Sequence, residues 1–179
     1  FTGRLHRMER KENLLTVASG VPTAASARKA LEYGLSGMEF ASGIPGSIGG
    51  AAYMNAGAYG GEMAKIIVSA TTCDAKGDII VHSIKDMGYG YRHSPFMQNG
   101  EVILDITLSL KPGNQKDIEA LMKDLNQRRA TKQPLEKRSA GSTFKRPDGQ
   151  FVGEMLEELG LTGFSGGEAQ LSAKHAGWL

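Results

Sequence analysis

The sequence contains one cysteine, Cys73, so it can form neither an internal disulfide nor a thiolate metal site. Its four histidines are scattered and follow no metal-ligand spacing, so no metal is expected. No apolar run approaches the roughly 18 residues that span a bilayer, and membrane insertion is therefore not expected. These absences predict a metal-free chain that works in a reducing, cytoplasmic setting.

The sequence also lacks an excess of charge of one sign. Its net charge is +2, and lysines and arginines are interspersed with aspartates and glutamates, so there is no extended basic face for nucleic acid. The 179 residues are 40% hydrophobic and 22% charged, which is typical of globular proteins. A chain of this length can form one or two domains with a sizeable core.

Glycine, in contrast, is concentrated in residues 43–61, here called the glycine segment (Gly-Ile-Pro-Gly-Ser-Ile-Gly-Gly-Ala-Ala-Tyr-Met-Asn-Ala-Gly-Ala-Tyr-Gly-Gly). Missing Cβ atoms allow the backbone to lie against a ligand, and clustered amides can form a concavity for an anion such as pyrophosphate. Ser47 and Asn55 add short donors and acceptors. The segment matches neither G-x-G-x-x-G nor G-x-x-x-x-G-K-[ST], and a glycine-rich surface loop or tight helix packing remains an alternative.

Hydrophobic periodicity predicts the elements before the middle of the chain. Residues 14–18 form a short apolar strand, and a helix capped by Thr23 runs to a left-handed stop at Gly34. The β-branched runs 65–74 and 78–83 predict a hairpin.

Further along, residues 101–110 alternate as a strand whose core face is predicted to comprise Val102, Leu104, Ile106, Leu108 and Leu110. The helix that follows is predicted to bury Ile118, Leu121, Met122 and Leu125. Gln133–Pro134 breaks it, and we place a domain boundary between residues 132 and 133. A glycine-serine turn at 139–142, a short strand through Phe144, and a helix over 151–159 stopped by Gly160 are expected beyond it.

Four motifs stand in one order along the chain: the glycine segment, Gly90-Tyr-Arg-His-Ser94, Ala140-Gly-Ser-Thr-Phe-Lys-Arg-Pro147 and the stretch from Gly167 to Gly177. In sequence, order and approximate spacing they resemble the UDP-N-acetylenolpyruvoylglucosamine reductases, bacterial enzymes of peptidoglycan-precursor synthesis. The resemblance implies an α+β fold. Residues 1–132 would form part of an FAD-binding domain of the vanillyl-alcohol-oxidase type, and residues 133–179 the truncated start of an α+β substrate-binding domain.

The resemblance also implies a reaction and its participants. NADPH would reduce FAD, and the flavin would reduce UDP-N-acetylglucosamine enolpyruvate to UDP-N-acetylmuramate, with pyridine nucleotide and sugar using one site in turn. The residues carried over for FAD are Gly43, Ile44, Pro45, Gly46, Ser47, Ile48, Gly49, Asn55, Ala56 and Gly57. Those carried over for the substrate are Tyr91, Lys132, Ser142 and Arg146.

Two residues are the expected catalytic groups. A guanidinium such as that of Arg92 can polarise a developing enolate, and by resemblance Arg92 acts on the enolpyruvyl group; alone, it would be interpreted as a surface arginine packed on Tyr89 or Tyr91. Ser142 can protonate a carbanion within hydrogen-bond reach, and it matches the family's proton donor. Without the resemblance, Ser142 would be interpreted as a turn serine.

Departures from the family pattern are equally informative. The family's upstream glycine-rich flavin segment and its C-terminal catalytic glutamate have no counterpart here, so we expect a fragment that binds FAD weakly and turns over nothing by itself. Arg146 stands where some family members have asparagine, and a role for His175 is left open. The alternatives are another flavin oxidoreductase of the same fold, such as an oxidase of small alcohols, and an inactive module that binds nucleotide sugars.

Overall fold

A computed structural model describes residues 4–139, 141–147 and 149–178. The chain divides into two compact units, residues 1–126 and 127–179. This division falls inside the helix Gln115–Lys132 and precedes the predicted domain boundary at 132–133, which stays a prediction.

The first unit is built on nine strands: β1 Met8–Lys11, β2 Leu14–Ala18, β3 Leu35–Ser36, β4 Gly57–Ala58, β5 Gly61–Glu62, β6 Ile67–Cys73, β7 Ile79–Ser83, β8 Val102–Ser109 and β9 Lys111–Pro112, counted in its described residues. Five of them form an antiparallel sheet of order β1-β2-β8-β6-β7. Two short antiparallel pairs, β3 with β9 and β4 with β5, lie outside this sheet. The helices are α1 Thr23–Glu32, α2 Ile48–Tyr53 and the start of α3 Gln115–Lys132. Short 3-10 turns occupy Glu39–Ala41, Met63–Lys65, Ile84–Asp86 and Pro95–Met97.

The core of this unit lies against one face of the central strands. Leu15 and Val17 alternate along β2 and are fully buried, and they pair with Leu108 and Ile106 of β8, which are also fully buried. The strand at 14–18 and the hairpin formed by β6 and β7 are confirmed.

β8 forms where the alternation predicts, but its buried face changes partway along. Thr72 of β6 pairs with Ile103, whereas the preceding residue, Thr71, pairs with Asp105, so Leu104 is an extra residue in a β-bulge. Ile103 is therefore buried and Val102 is 61% exposed. The prediction that Val102 and Leu104 share the core face of Ile106 is wrong, because a period of two cannot reveal a bulge.

The helices differ from expectation in two details. Thr23 is not the cap of α1: Pro22 holds that position, and the Thr23 hydroxyl donates to the carbonyl of Gly46 at 3.1 Å. Gly34 has a φ of 65° and follows the end of α1, as predicted. In α3, Leu121 is 46% exposed and not buried, so the core stripe consists of Ile118, Met122 and Leu125.

The second unit contains the end of α3, the helix α4 Val152–Glu158, and a hairpin of β10 Ser165–Gly166 and β11 Ala169–Gln170. Leu156, Leu171 and Ala176 form its small core. Gly160 has a φ of 69° just after α4, as predicted. The predicted strand through Phe144 is wrong. Within the described residues 141–147 the structure contains one isolated β-bridge, between Ser142 and Trp178. Ala140, in the predicted turn, lies outside the described residues.

The predicted α+β class is confirmed by this mixture of antiparallel strands and helices. In the part of the chain that the structure describes, no helix has the length and apolarity needed to cross a bilayer.

Candidate functional site

The glycine segment is not a continuous loop, because its middle forms the short helix α2. The Ser47 hydroxyl accepts from the backbone N–H of Gly50 at 3.2 Å and caps the helix. The N–H of Ile48 donates to Val21 at 2.8 Å, and the Ile48 side chain is fully buried. Two adjacent glycines have poor helix propensity, so α2 is stabilised by these contacts with the rest of the unit.

Five of the seven glycines of this segment fall into two groups. A Cβ on Gly49 would lie 2.5 Å from Ser19 Cβ, and one on Gly57 or Gly61 would collide with a neighbouring backbone or ring, so packing inside the protein requires these three. Gly46 and Gly60 have φ values of 100° and 81°, and a Cβ on either would meet no described atom within 4 Å. Packing does not explain Gly46 and Gly60, which border open space.

Asn55 joins the glycine segment to the loop that carries Arg92. Its side chain is 2% exposed; Nδ2 donates to the carbonyl of Gly90 at 2.9 Å, and Oδ1 accepts from the N–H of Ala64 at 2.9 Å. Both polar ends of the amide are thus used inside the protein. Asn55 also has a φ of 42°, which asparagine tolerates better than most residues. If Asn55 contributes to a cofactor site, as predicted, it does so by holding the backbone of the glycine segment in place, because its side chain is already hydrogen-bonded inside the protein.

The Arg92 guanidinium lies against the same segment. Arg92 and Tyr91 form a tight turn closed by two hydrogen bonds of 3.1 Å between Gly90 and His93. Nη1 and Nη2 of Arg92 donate to the carbonyls of Asn55 and Gly57, each at 3.3 Å. The guanidinium also lies over the Tyr91 ring, 5.2 Å from its centroid. The first unit therefore brings two of the four motifs together.

The other predicted cofactor residues differ in exposure. Ile44 and Ala56 are half-buried against the core, so their side chains serve packing. Pro45 and Gly46 are exposed, and Gly43 is half-buried. The exposed backbone near Gly46 is the part of the segment that a ligand can approach directly.

In the second unit, the other two motifs lie side by side. Ser142 bridges Trp178, and the N–H of Thr143 donates to the carbonyl of Gly177 at 3.0 Å. The Ser142 side chain is exposed, and its hydroxyl donates to the Phe144 carbonyl at 3.4 Å. This contact is long enough to leave the hydroxyl available to another acceptor.

The remaining predicted residues of the second unit have distinct surroundings. Lys132 is exposed at the end of α3, and Arg146 lies over the Phe151 ring at 5.2 Å. His175 packs against Gly153 and Gly177, and its buried Nδ1 has no hydrogen-bond partner among the described residues.

Sequence reasoning missed a polar cluster at the start of β8. Glu101 Oε2 lies 2.6 Å from Nε2 of His82 and 2.5 Å from the hydroxyl of Thr72. Thr72 lies in β6, His82 lies in β7, and Glu101 directly precedes β8, so no local spacing in the sequence indicates the cluster. The Thr72 hydroxyl first, and His82 after it, hold the pKa of Glu101 below its usual range, against the opposing effects of burial and of Asp74.

Two hydroxyls under the Arg92 loop were also missed. Those of Tyr89 and Ser94 are buried without a hydrogen-bond partner among the described residues. Burial raises the pKa of Tyr89, so its hydroxyl stays neutral. The Tyr89 ring meets Phe96 edge-on at 6.5 Å, and Phe96 meets His82 at 5.7 Å. The Arg92 loop thus rests on an aromatic layer that reaches the Glu101 cluster.

Two family models match separate parts of the chain. Residues 2–83 match the family described as FAD binding domain, and residues 133–179 match UDP-N-acetylenolpyruvoylglucosamine reductase, C-terminal domain. The chain is 46% identical, over 98% of its length, to the UDP-N-acetylenolpyruvoylglucosamine reductase of Limosilactobacillus reuteri, and 47% identical over 98% to that of Clostridium kluyveri. The chain belongs to this reductase family.

A solved structure of a family member supports the fold. The crystal structure of UDP-N-acetylenolpyruvylglucosamine reductase from Thermus caldophilus superposes with a TM-score of 0.83 at 35% identity, covering 91% of this chain and 60% of that one. The chain spans 59% of the Limosilactobacillus reuteri relative and 58% of the Clostridium kluyveri relative. The order of an FAD-binding domain followed by a reductase C-terminal domain, predicted from the motifs, is confirmed. The individual site residues stay predictions.

The junction at Asn55 provides a stability prediction. Asn55→Ala leaves the half-buried N–H of Ala64 without its partner, removes one of the two hydrogen bonds that the carbonyl of Gly90 accepts, and places alanine at a positive φ. We expect a loss of about 2–4 kcal/mol in the free energy of unfolding, measured by chemical denaturation. Asn114→Ala is the control, because the described hydrogen bond of the Asn114 side chain is an exposed one, accepted from the N–H of Lys116, and its loss should cost about 1 kcal/mol. Equal losses in the two variants would contradict the junction.

Proposed function

We propose that the chain holds FAD along its glycine segment and forms part of an enzyme that reduces UDP-N-acetylglucosamine enolpyruvate to UDP-N-acetylmuramate, with NADPH as the reductant. The observation that carries the proposal is the fixed position of the Arg92 guanidinium beside the glycine segment. Membership of the reductase family supports the same activity and its place in peptidoglycan-precursor synthesis.

The residues of the first unit suit FAD. Open space beside the backbone of Gly46, where a Cβ would meet no described atom, is a place where a planar or extended ligand can approach closely. Ser47, on the adjoining cap of α2, has a hydroxyl proton that can be donated while its oxygen accepts from Gly50. When bound, FAD supplies the hydride chemistry that side chains cannot.

Arg92 has the properties needed to stabilise an enolate. Two backbone carbonyls and an aromatic face hold its guanidinium, so little reorganisation is required as negative charge develops on the substrate. We propose that Arg92 stabilises the enolate oxygen and that Tyr91 lines the substrate position. The charge of arginine is retained over the whole physiological pH range.

Within the second unit, Ser142 is proposed to protonate the substrate carbon that becomes C–H. Among the described residues, the one hydrogen bond that its exposed hydroxyl donates is the long contact with Phe144, which a substrate can replace. Lys132 and Arg146, both exposed cations, are proposed to bind the diphosphate of the nucleotide sugar.

One experiment tests the function. The full-length protein is purified, its visible spectrum is recorded for bound flavin, and NADPH oxidation is followed with and without the enolpyruvyl sugar. Oxidation that depends on the sugar, together with FAD absorption, supports the proposal. A flavin oxidase would consume NADPH or an alcohol without the sugar, and an inactive sugar-binding module would bind the sugar without oxidising NADPH.

A second prediction concerns the approach of FAD to Gly46. Gly46→Val is expected to remove most of the bound flavin, because the new side chain enters the space reserved for the ligand. Gly77→Val is the control: Gly77 has a φ of 91° and equally open surroundings, but it lies in the turn between β6 and β7. Valine at a positive φ is strained at either site, by about 1–3 kcal/mol, so both variants should lose similar stability. Retention of flavin by Gly46→Val, measured by absorbance after purification, would count against the assignment.

A further inference from the structure

The Arg92 loop, residues 88–94, needs support from its surroundings because Arg92 has a φ of 52°. This is the left-handed region that favours glycine, and other residues persist in it only where neighbouring contacts enforce the conformation. Within the loop, the amides of Gly90 and His93 each donate to the other's carbonyl at 3.1 Å. The contacts that hold this turn in place therefore bear on the position of the Arg92 guanidinium.

Aromatic rings flank the turn on both sides in the sequence. Tyr89 lies near the start of the loop, and Phe96 lies in the 3-10 turn Pro95–Met97 that follows it directly. The two rings meet edge-on with their centroids 6.5 Å apart, and Phe96 is 2% exposed. His82 of β7 supplies a third ring, which meets Phe96 at 5.7 Å and an interplanar angle of 72°. The contact with Phe96 thus connects β7 with both ends of the loop.

The Nε2 edge of the His82 imidazole is fixed by two polar groups. Nε2 lies 2.6 Å from Oε2 of Glu101 and 3.1 Å from the hydroxyl of Thr72. That hydroxyl donates to the same carboxylate oxygen at 2.5 Å, and Thr72 is fully buried. Three polar atoms from three parts of the chain therefore meet at one point. The imidazole cannot turn away from Phe96 without breaking these hydrogen bonds.

The charge of Glu101 determines the direction of these hydrogen bonds. The Thr72 hydroxyl first, and His82 after it, keep the pKa of Glu101 low despite burial, so the carboxylate is ionised and can only accept. Nε2 of His82 must therefore carry a proton. The side chains of His82 and Glu101 are 25% and 11% exposed, so water screens the pair less than it would screen a pair on the surface. The imidazole is accordingly held in one orientation.

We propose that His82 is a positioning residue for Arg92, because its ring supports the aromatic residues that flank the Arg92 loop. The guanidinium reaches two carbonyls of the glycine segment at 3.3 Å each, and a small outward shift of the loop would break both contacts. Glu101 and Thr72 act one step further away, by orienting the His82 ring. The inference deepens the proposed function and rests on it, because Arg92 is proposed there to stabilise the enolate.

Hydrogen exchange of the Gly90 and His93 amides in the full-length protein tests the support of the loop without any turnover. His82→Ala removes the ring and should accelerate this exchange by about tenfold, the size expected for the loss of one aromatic contact. Thr72→Val removes the buried hydroxyl with little change in shape, and it should accelerate the exchange to a smaller extent. Thr16→Val is the matched control, because its part-buried hydroxyl bonds to another threonine hydroxyl at 3.0 Å between β2 and β8 of the same sheet. It should leave the exchange of the two amides unchanged.

The catalytic consequence is measured by stopped-flow reoxidation of the flavin by the enolpyruvyl sugar. His82→Ala should slow this half-reaction by about tenfold, because a small displacement of a catalytic group is costly, while flavin reduction by NADPH proceeds nearly as in the parent. His82→Phe keeps a ring against Phe96 and should recover part of the loss. Because His82 acts through Arg92, His82→Ala should have no further effect on the rate in an Arg92→Ala background.

Unchanged exchange of the two loop amides in both His82→Ala and Thr72→Val would overturn the inference, and so would equal acceleration in Thr16→Val. Slowing that is as large in the Arg92→Ala background as in the parent would also overturn it, since His82 would then act on another group. If His82→Ala fails to fold, Thr72→Val and His82→Phe carry the same test. The proposed function fails separately, if Arg92→Ala reduces the enolpyruvyl sugar as fast as the parent does or if the protein does not oxidise NADPH in the presence of that sugar. Hydrogen exchange still decides in that case whether His82 holds the loop.

Discussion

Replacing Ser142 by alanine is expected to slow reduction of the enolpyruvyl sugar by about 10²- to 10⁴-fold, while flavin reduction by NADPH proceeds nearly as in the parent. Protonation of the enolate needs a donor in place, whereas hydride delivery from NADPH requires no proton transfer to the sugar. In the part of the chain that the structure describes, the exposed hydroxyl of Ser142 makes one hydrogen bond, of 3.4 Å to Phe144, so its loss should hardly affect the fold. Stopped-flow traces of flavin reduction and reoxidation separate the two half-reactions.

Two further variants make this test specific. Ser142→Cys keeps a transferable proton at a similar reach and should recover part of the loss. Ser165→Ala is the matched control, because Ser165 is also exposed and donates to a carbonyl two residues away, at 3.5 Å from Gly163. Equal slowing of both half-reactions in Ser142→Ala, or no slowing of either, would mean that Ser142 is not the proton donor.

Local pattern was sufficient for most elements of the fold. The strand at 14–18, the hairpin of β6 and β7, and the stops at Gly34 and Gly160 follow from alternation, turn residues and positive φ, all of which act over a few residues. The bulge at Leu104 does not follow from local pattern, because it is defined by the pairing of β8 with β6. Likewise, α2 forms in a segment of poor helix propensity because Val21 and Ser19 anchor it from outside.

The candidate site was accessible from sequence only in part. The motifs indicate which stretches matter, and the comparisons agree on the family. The motifs cannot show that glycines of one segment have different surroundings: Gly49 is needed for packing, whereas Gly46 borders open space. They also cannot show that the Asn55 side-chain amide is hydrogen-bonded to Gly90 and Ala64 inside the protein. Nor do they indicate Glu101, because its partners Thr72 and His82 lie in β6 and β7, far from it in the sequence.

Replacing Arg92 by alanine is expected to lower the rate of sugar reduction by about 10²- to 10³-fold, the usual cost of losing a preorganised group that stabilises developing negative charge. Arg92→Lys should recover little of this rate, because a lysine ammonium cannot use the planar fork that reaches the carbonyls of Asn55 and Gly57 together. Flavin reduction by NADPH should change far less, since no enolate forms in that step.

Arg10 offers a close structural match for the control. It donates to two backbone carbonyls, those of Glu12 and Tyr33, and its guanidinium lies 5.3 Å from the centre of the Tyr33 ring, much as Arg92 lies over Tyr91. Arg10→Ala therefore removes the same kinds of contact from a more exposed position of the same unit, and it should lose no more stability than Arg92→Ala and little activity. Steady-state rates and melting temperatures of both variants decide the matter. If the loss of rate in Arg92→Ala is no larger than in Arg10→Ala, Arg92 serves only to hold its loop against the glycine segment, and another group must stabilise the enolate.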